Sequence, residues 1–199
     1  MTKITTGASV SIDGYISGPE ETGFEHLFAW YGNGDVNIET TSADVPINVT
    51  EPSAEHMREL IANTGCFVVG RHLFDITNGW GGKHTLGIPY VVLTHSVPDG
   101  WERSTEWYEF CTGTLEDAIE AAKRRAGDKN VGLNGGTIAT QALAAGLLDE
   151  IDVDLVPVIL GGGRPFFRSL EDGPFVLEGP IKSVQGDRVT HLRYRVVKA

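Results

Sequence analysis

One stretch of the sequence, residues 131–167, constrains the fold more than any other: VGLNGGTIATQALAAGLLDEIDVDLVPVILGGGRPFF. It begins as a short apolar strand, breaks at residues 134–136 and resumes as a helix at Thr137. Gly146 ends that helix, and a second apolar strand over residues 151–160 leads into three consecutive glycines. This order predicts a βαβ unit, which occupies about 30 residues or more. The nearly continuous apolar run of the second strand is typical of parallel strands buried in a sheet.

The glycine turn inside this unit indicates an anion site. A helix N-terminus presents unpaired N–H groups and the positive end of the helix dipole. Gly135 and Gly136 have no Cβ, so an anion can approach their backbone closely. Thr137 can cap the helix or donate its hydroxyl to a phosphate; the alternative is an ordinary βα turn with Thr137 as N-cap. The turn does not match GxGxxG, so a standard Rossmann dinucleotide fold is not indicated.

Polar residues follow two further predicted strands. The strand over residues 66–69 ends at Gly70, Arg71 and His72, and the strand over residues 90–93 ends at Thr94, His95 and Ser96. Ligands of open α/β sheets bind outside the carboxyl ends of the strands, so these residues and the glycine turn are expected at one site. Arginine binds phosphate through two hydrogen bonds. The alternative for Arg71 is an ion pair with a surface carboxylate.

The remaining patterns complete an α/β prediction with three layers, a mostly parallel central sheet, flanking helices and an antiparallel C-terminal hairpin. The first strand covers residues 3–10, a helix is expected to begin at a Ser53 cap, and Thr114 with Asp117 resembles a capping box. Residues 175–197 predict the hairpin, with its turn around residues 186–187. Residues 20–52 are the least regular part; they hold an aromatic cluster and a short hairpin within residues 35–49.

Composition predicts one globular domain over residues 1–199, because 41% of the residues are hydrophobic. No apolar run approaches the roughly 20 residues needed to span a bilayer, and we expect a cytoplasmic protein. The net charge of −11 argues against nucleic acid or an anionic membrane as partner. Cys66 and Cys111 are expected to be buried free thiols, and their spacing predicts no metal site.

Several motifs together resemble the dihydrofolate-reductase-like superfamily. They are SIDGYI at residues 11–16, VVGRHLFD at 68–75, YVVLTHS at 90–96, the block at 133–167 and THLRYRV at 190–196. The closer resemblance is to stand-alone proteins related to the reductase domain of bifunctional riboflavin-biosynthesis deaminase-reductases. It covers nearly the whole chain except residues 20–52. The HxE and PCxxC motifs of the zinc-dependent deaminase domain do not occur in this sequence.

The resemblance implies that NADPH is the cofactor. It assigns Arg71, with Gly70 and His72 beside it, to the 2′-phosphate end. The other cofactor-binding residues that it implies are Thr94, His95 and Ser96 at the adenosine, Gly135, Gly136, Thr137 and Ile138 at the pyrophosphate, and Ala8, Ser9 and Ile16 at the nicotinamide. It also implies a mobile loop over residues 13–18 that closes on the nicotinamide, and a homodimer. The apolar strand at 151–160 and the tail strand are candidates for the dimer interface, with burial inside the monomer as the alternative.

The substrate side departs from the resembled families. Dihydrofolate reductases carry a Trp-x-Leu-Pro stretch before a helix carboxylate, which is missing here; the riboflavin-pathway reductases carry a basic residue at the position of Tyr15 and a Glu at that of Leu133. Our candidates for a proton donor are Asp13 and Glu25, although Asp13 can equally serve only to stabilise its turn. Those for substrate contact are Asp13, Tyr15, Phe28 and Trp30, with a core position as the alternative for Trp30.

The sequence therefore predicts an NADPH-dependent reductase that transfers hydride to a small planar heterocycle, with an activity of the 5-amino-6-(5-phosphoribosylamino)uracil reductase or dihydrofolate reductase type. The alternative hypothesis is a non-catalytic nucleotide-binding or assembly module that has kept the fold.

Overall fold

A computed structural model describes residues 2–42, 45–171 and 173–198 of the chain. The strands are β1 (Ile4–Ser11), β2 (Tyr15–Ser17), β3 (Val36–Ile38), β4 (Ile47–Val49), β5 (Thr64–Gly70), β6 (Tyr90–Leu93), β7 (Tyr108–Cys111), β8 (Asn130–Asn134), β9 (Glu150–Val156), β10 (Arg164–Pro165), β11 (Leu177–Gln185) and β12 (Thr190–Val196). The α-helices are α1 (Phe24–Leu27), α2 (Glu51–Asn63), α3 (Arg71–Ile76), α4 (Leu115–Ala126) and α5 (Thr137–Ala144), and short 3₁₀ turns cover Pro19–Glu21, Ala29–Gly32 and Asn78–Gly82.

Eight strands form the central sheet in the order β11-β12-β9-β1-β8-β5-β6-β7. The six strands from β9 to β7 are parallel to one another, whereas β12 is antiparallel to both β9 and β11. The predicted fold class, a mostly parallel sheet with an antiparallel C-terminal hairpin, is confirmed. Because β1 lies between β8 and β9, the βαβ unit of the sequence encloses the first strand of the chain.

Helices α4 and α5 cover one face of the sheet. Their apolar side chains pack against Cys66, Val68, Val91 and Leu133 from the neighbouring strands. The predicted capping box begins α4: the Thr114 hydroxyl accepts from the Asp117 N–H, and the Asp117 carboxylate accepts from the Thr114 N–H. Close packing and correct capping together fix this layer.

The other face of the sheet is covered unevenly. A second apolar cluster joins α1, the following 3₁₀ turn, the β3–β4 hairpin and the start of α2, with Leu27, Trp30 and Val49 at its centre. A third cluster lies beneath α3, around Phe74 and Tyr90. The hairpin predicted within residues 35–49 is present as β3 and β4. A cleft separates these two clusters, and it is described below.

Two predicted boundaries are wrong. The strand expected to reach residue 160 ends at Val156, because Pro157 cannot donate a hydrogen bond to a neighbouring strand. Helix α2 begins after Thr50, and Ser53 lies within its first turn, where its hydroxyl pairs with His191 instead of capping. Helix α5 begins at Thr137, as predicted, but Gly136 and not Thr137 takes the N-cap position.

Both cysteines are free: Cys66 is buried, as predicted, but Cys111 is only half-buried. Burial raises the pKa of the Cys66 thiol to about 12, so the thiol is unreactive.

Among the described residues, no helix has the length and apolar character needed to cross a membrane. Strand β9 lies inside the sheet, whereas β11 of the tail lies at its edge. The homodimer and both candidate interfaces stay predictions.

Candidate functional site

A cleft of about 780 Å³ opens on the less covered face of the sheet and runs to the carboxyl ends of β5, β6 and β8. All three predicted strand ends contribute to it, and it extends across β1 toward β9. The predicted cofactor residues that line it are Ala8, Ser9, Ile16, Gly70, Arg71, His72, Thr94, His95, Gly135, Thr137 and Ile138. Ser96 and Gly136 are not among the lining residues. The predicted convergence of the strand ends therefore occurs, while the role of each residue stays a prediction.

The turn between β8 and α5 requires its glycines. A Cβ on Gly135 would lie 2.8 Å from Cδ2 of Phe166 and 3.3 Å from Cδ1 of Ile16. Gly136 has φ +80° and donates its N–H to the carbonyl of Phe166 at 2.8 Å. This N–H is thus already used, whereas the first N–H groups of α5, from Thr137 onward, have no partner within the helix. An anion at this turn, if bound as predicted, would therefore meet these helical N–H groups and not that of Gly136.

Asn134 joins two of the strand ends, a role that the sequence analysis missed. Its Oδ1 accepts a hydrogen bond from the N–H of Gly70 at 2.9 Å, and its Nδ2 donates to the carbonyl of Gly135 at 2.9 Å. The last residue of β8 therefore holds the end of β5 and the glycine turn in one arrangement. The sequence feature that could have indicated this role is an asparagine directly before two glycines.

Arg71 makes the ion pair of the alternative interpretation and a second set of contacts at the end of β6. Its Nε donates to both carboxylate oxygens of Asp75 at 2.7 and 2.9 Å, which is the surface ion pair of the alternative interpretation. Its Nη1 also lies 3.2 Å from the carbonyl oxygen of Ser96 and 3.4 Å from Oγ1 of Thr94. The guanidinium is therefore held at the β6 end of the cleft, beside the residues predicted to bind the adenosine.

Neither candidate proton donor lines the cleft. The carboxylate of Asp13 accepts hydrogen bonds from Oγ of Ser11 at 2.6 Å and from the N–H groups of Leu160 and Gly161 at 3.1 and 2.7 Å. The bond from Ser11 lowers the pKa of Asp13, so this exposed carboxylate stabilises its turn in the charged form. Glu25 is exposed and lies 3.5 Å from His26. These positions make both residues poor proton donors.

Of the three aromatic candidates for substrate contact, one lines the cleft and two do not. Phe28 lines the cleft. Trp30 is buried in the second apolar cluster, where its Nε1 donates to Oγ of Ser9 at 3.1 Å, so the core interpretation holds for it. Tyr15 lies on β2 and is not among the residues that line the cleft, although its neighbours Ile16 and Ser17 are. Only Phe28 of the three can offer a ring to a ligand in the cleft.

Two carboxylates that the sequence analysis overlooked, Asp152 and Asp154 of β9, do line the cleft. Their strand pairs with β1, opposite Gly7 and Ser9. Burial raises the pKa of Asp152, and Arg193, whose Nε lies 2.7 Å from its Oδ1, opposes this shift. The sequence signal was an Asp-x-Asp pattern inside an apolar strand, which is unusual because a buried carboxylate needs partners.

Asp154 is held by a buried histidine. Nδ1 of His191 lies 2.6 Å from Oδ1 of Asp154, and Nε2 of His191 lies 2.9 Å from Oγ of Ser53. His56 stacks on His191 at 4.3 Å between ring centroids, and its Nε2 lies 3.6 Å from the same carboxylate oxygen. This chain of contacts fixes the orientation of Asp154 toward the cleft.

The same three side chains, His56, Asp154 and His191, are close enough to be considered as metal ligands. A metal lies near the plane of each imidazole that binds it, but these rings are stacked with 20° between their planes. Two ligand atoms of a tetrahedral zinc lie about 3.4 Å apart, whereas Nδ1 of His191 and Oδ1 of Asp154 are at hydrogen-bond distance, 2.6 Å. The geometry suits a proton between them better than a metal.

Acidification is expected to destabilise the fold through His56. Burial lowers the pKa of His56 to about 4; the carboxylate of Asp154 opposes this shift, and His191, Lys182 and Arg193 add to it. The unfolded chain takes up the proton near pH 6.5, so the unfolded state binds more protons between pH 6.5 and 4, and stability falls as the pH falls through that window. At pH 5 the loss is about 2 kcal/mol.

Urea denaturation at pH 7.5 and pH 5 measures this loss. His56→Gln should remove the part of this loss that is due to His56, while His84, whose pKa burial also lowers to about 4, should keep its own contribution to the pH dependence in the variant. Identical pH profiles for the wild-type protein and the variant would contradict the prediction.

Comparison with known proteins identifies the family. Residues 2–178 match the profile of the RibD C-terminal domain. The chain belongs to this family. No curated protein matches the sequence significantly. The match confirms the resemblance to the reductase part of riboflavin-biosynthesis proteins that the motifs predicted.

Solved structures show the same fold. A protein from Shewanella sp. PV-4, whose name assigns it provisionally to riboflavin biosynthesis, superposes with a TM-score of 0.71 at 24% identity over 99% of this chain and 100% of its own. A pyrimidine reductase-like protein from Corynebacterium diphtheriae has a TM-score of 0.59 at 15% identity, over 100% and 93%. The Thermotoga maritima diaminohydroxyphosphoribosylaminopyrimidine deaminase/5-amino-6-(5-phosphoribosylamino)uracil reductase has a TM-score of 0.60 at 13% identity, over 98% of this chain and 57% of that protein.

Proposed function

We propose that the chain is an NADPH-dependent reductase that acts on a small planar heterocycle. The observation that carries the proposal is one continuous cleft that reaches Arg71 at one end, the N-terminus of α5 in the middle, and Ala8 and Ser9 of the central strand at the other. A dinucleotide phosphate needs cations or N–H groups at its phosphates and an apolar surface at its nicotinamide. The lining supplies both in this order.

The residues present fit the cofactor by the chemistry of their donors. Arg71 would hold the 2′-phosphate, and the N–H groups of Thr137 and Ile138 would hold the pyrophosphate. Gly135 leaves room there that a side chain would fill, since a Cβ would already meet Phe166. Ala8 and Ile16 would border the nicotinamide, which supplies a hydride when bound in its reduced form.

The substrate would lie between the aromatic segment and β9. Phe24, Phe28 and Tyr31 line that part of the cleft and offer flat apolar surfaces. Asp154, oriented by His191, would accept a hydrogen bond from a ring N–H of the substrate. This places the substrate carboxylate on β9 instead of at Asp13 or Glu25. The chemistry of these groups favours a nitrogen heterocycle such as a pyrimidine or a pterin.

Cofactor titration by intrinsic tryptophan fluorescence tests the proposal, with NADPH and NADH side by side. Trp30 is a suitable reporter because its indole donates to Ser9 at the predicted nicotinamide end. We expect binding of both, with NADPH clearly preferred, and NADPH oxidation when pyrimidines or pterins are then screened. If the folded protein bound neither cofactor, the reductase proposal would be abandoned in favour of a non-catalytic module.

A further inference from the structure

Three charged or polar side chains from separate elements meet at the mouth of the cleft. Oε1 of Glu21, in the Pro19–Glu21 turn, contacts Nε2 of His72 at the start of α3 and Nη2 of Arg164 on β10, the latter at 2.8 Å. Nη2 of Arg164 also lies 2.7 Å from Nε2 of His72. All three residues line the cleft.

This cluster cannot satisfy all its hydrogen bonds at once. Nε2 of His72 either donates to Glu21 or accepts from Arg164, because one ring nitrogen carries at most one proton. One of the three contacts is therefore always unsatisfied. A ligand with more acceptor atoms than one carboxylate would satisfy both His72 and Arg164.

The backbone that carries Glu21 is strained. Glu20 and Glu21 have φ of 53° and 61°, a left-handed conformation that residues with a side chain rarely adopt and seldom adopt twice in succession. The N–H of Gly18 donates to the carbonyl of Thr22 at 2.8 Å and closes the turn. The turn thus presents Glu21 to the two basic side chains at the expense of its own backbone energy.

Arg164 connects the cluster to the anion site of the glycine turn. Its Cδ would lie 3.8 Å from a Cβ on Gly136, the N-cap of α5. The sequence analysis predicted a cofactor role for His72 but gave none to Arg164 or Glu21. In this corner of the cleft, the negative charge that pairs with His72 and Arg164 belongs to a residue of the protein, Glu21.

We propose that His72 and Arg164 form an anion site for a phosphate group of the bound dinucleotide, and that Glu21 is a tethered carboxylate that competes for this site. The proposal rests on the proposed function and adds the regulation of cofactor affinity to it. A phosphate carries more charge and more acceptor oxygens than a carboxylate, so it replaces Glu21 favourably. Its arrival releases Glu21 and allows the strained turn to relax.

The hydrogen bond from His72 lowers the pKa of Glu21, so the competing carboxylate is charged at neutral pH. Two factors weaken the competition of Glu21 for the anion site. The turn that carries Glu21 is strained, and solvent reaches all three side chains and screens their charges. The tether therefore reduces cofactor affinity without abolishing it. Removal of the carboxylate charge should strengthen cofactor binding, which is the opposite of what is expected for a ligand-binding residue.

Glu21→Gln and Glu20→Gln form a matched pair that tests this inference. Both remove one negative charge from the same turn, but only Glu21 contacts His72 and Arg164. Measured by isothermal titration calorimetry at fixed ionic strength, the dissociation constant for NADP⁺ should fall by about threefold to tenfold in Glu21→Gln and by less than about twofold in Glu20→Gln. An unchanged or higher dissociation constant in Glu21→Gln would overturn the proposal, as would equal effects of the two variants.

Arg164→Gln provides a second test of the proposal. It should weaken NADP⁺ binding, and Glu21→Gln should bring a smaller gain when added to it than in the wild-type protein, because one of the two basic side chains for which Glu21 competes is gone. A full gain in the double variant would show that Glu21 acts elsewhere and overturn the proposal. Thermal unfolding of each variant establishes that it is folded before its affinity is interpreted.

Inorganic pyrophosphate separates this proposal from the proposed function. If the wild-type protein bound neither NADPH nor NADP⁺, the reductase proposal would fail, yet the anion site could still be tested by pyrophosphate titration. Tighter pyrophosphate binding in Glu21→Gln than in Glu20→Gln would support the site independently of any nicotinamide chemistry. If pyrophosphate bound the two variants equally, the competition by Glu21 would be rejected.

Discussion

Replacing Trp30 with alanine is expected to lower the free energy of unfolding by about 3–5 kcal/mol, the usual range for a large aromatic side chain in a core. Trp30 is 2% exposed and is among the largest fully buried side chains of the protein. Its ring contacts Tyr31 and His191 edge-on, and its Nε1 is bonded to Ser9. The substitution would leave a cavity at the centre of the second apolar cluster, and urea denaturation measures the loss.

Phe28→Ala is the control, because Phe28 belongs to the same aromatic segment but is 39% exposed and lines the cleft. This substitution should lower the free energy of unfolding by less than about 1.5 kcal/mol and should weaken ligand binding instead. If the two variants were equally stable, Trp30 would not have the core role assigned to it.

Replacing Arg71 with alanine is expected to weaken NADPH binding by about 1.5–3 kcal/mol, or roughly 10-fold to 150-fold, the scale of a hydrogen bond to a charged group. Binding of NADH, which lacks the 2′-phosphate, should change little. The physical reason is the position of the guanidinium at the β6 end of the cleft, where Thr94 and Ser96 hold it. Parallel fluorescence titrations with the two cofactors measure the change in preference.

Asp75→Asn is the matched variant for this prediction. It removes the carboxylate that Nε of Arg71 contacts but leaves the guanidinium in place. We expect it to retain the preference for NADPH, because the charge that recognises the 2′-phosphate is still present. If Arg71→Ala bound NADPH normally, Arg71 would serve only its ion pair with Asp75, and the cofactor assignment at this end of the cleft would be wrong.

The meeting of the strand ends at one cleft could be predicted from the sequence, because each strand end is a local feature of the chain. Each strand is followed directly by its own polar residues, and parallel strands bring those residues to one edge of the sheet. Gly135, Arg71 and Thr94 therefore needed no knowledge of long-range packing. Only the strand order, with β1 between β8 and β9, had to be supplied by the structure.

The substrate side could not be predicted in the same way, because it depends on contacts between distant segments. Asp154 reaches the cleft through the register of β9 with β1, and His191 reaches Asp154 through the pairing of β12 with β9. Trp30 was ambiguous because an aromatic residue in an irregular segment can either line a site or fill a core. The contacts of Glu21 could not be predicted, because its position depends on the left-handed backbone conformation of Glu20 and Glu21. No periodicity in the sequence indicates that conformation.

The two hydrogen bonds of the Asn134 side chain also affect which ligands fit the cleft. Because it bonds both Gly70 and Gly135, the phosphate-binding turn and the end of β5 are tied across adjacent strands of the sheet. These bonds favour one separation between the turn and the strand end before any molecule binds. A nucleotide too short to reach from one to the other would be held at one end only, so we expect this spacing to favour longer ligands.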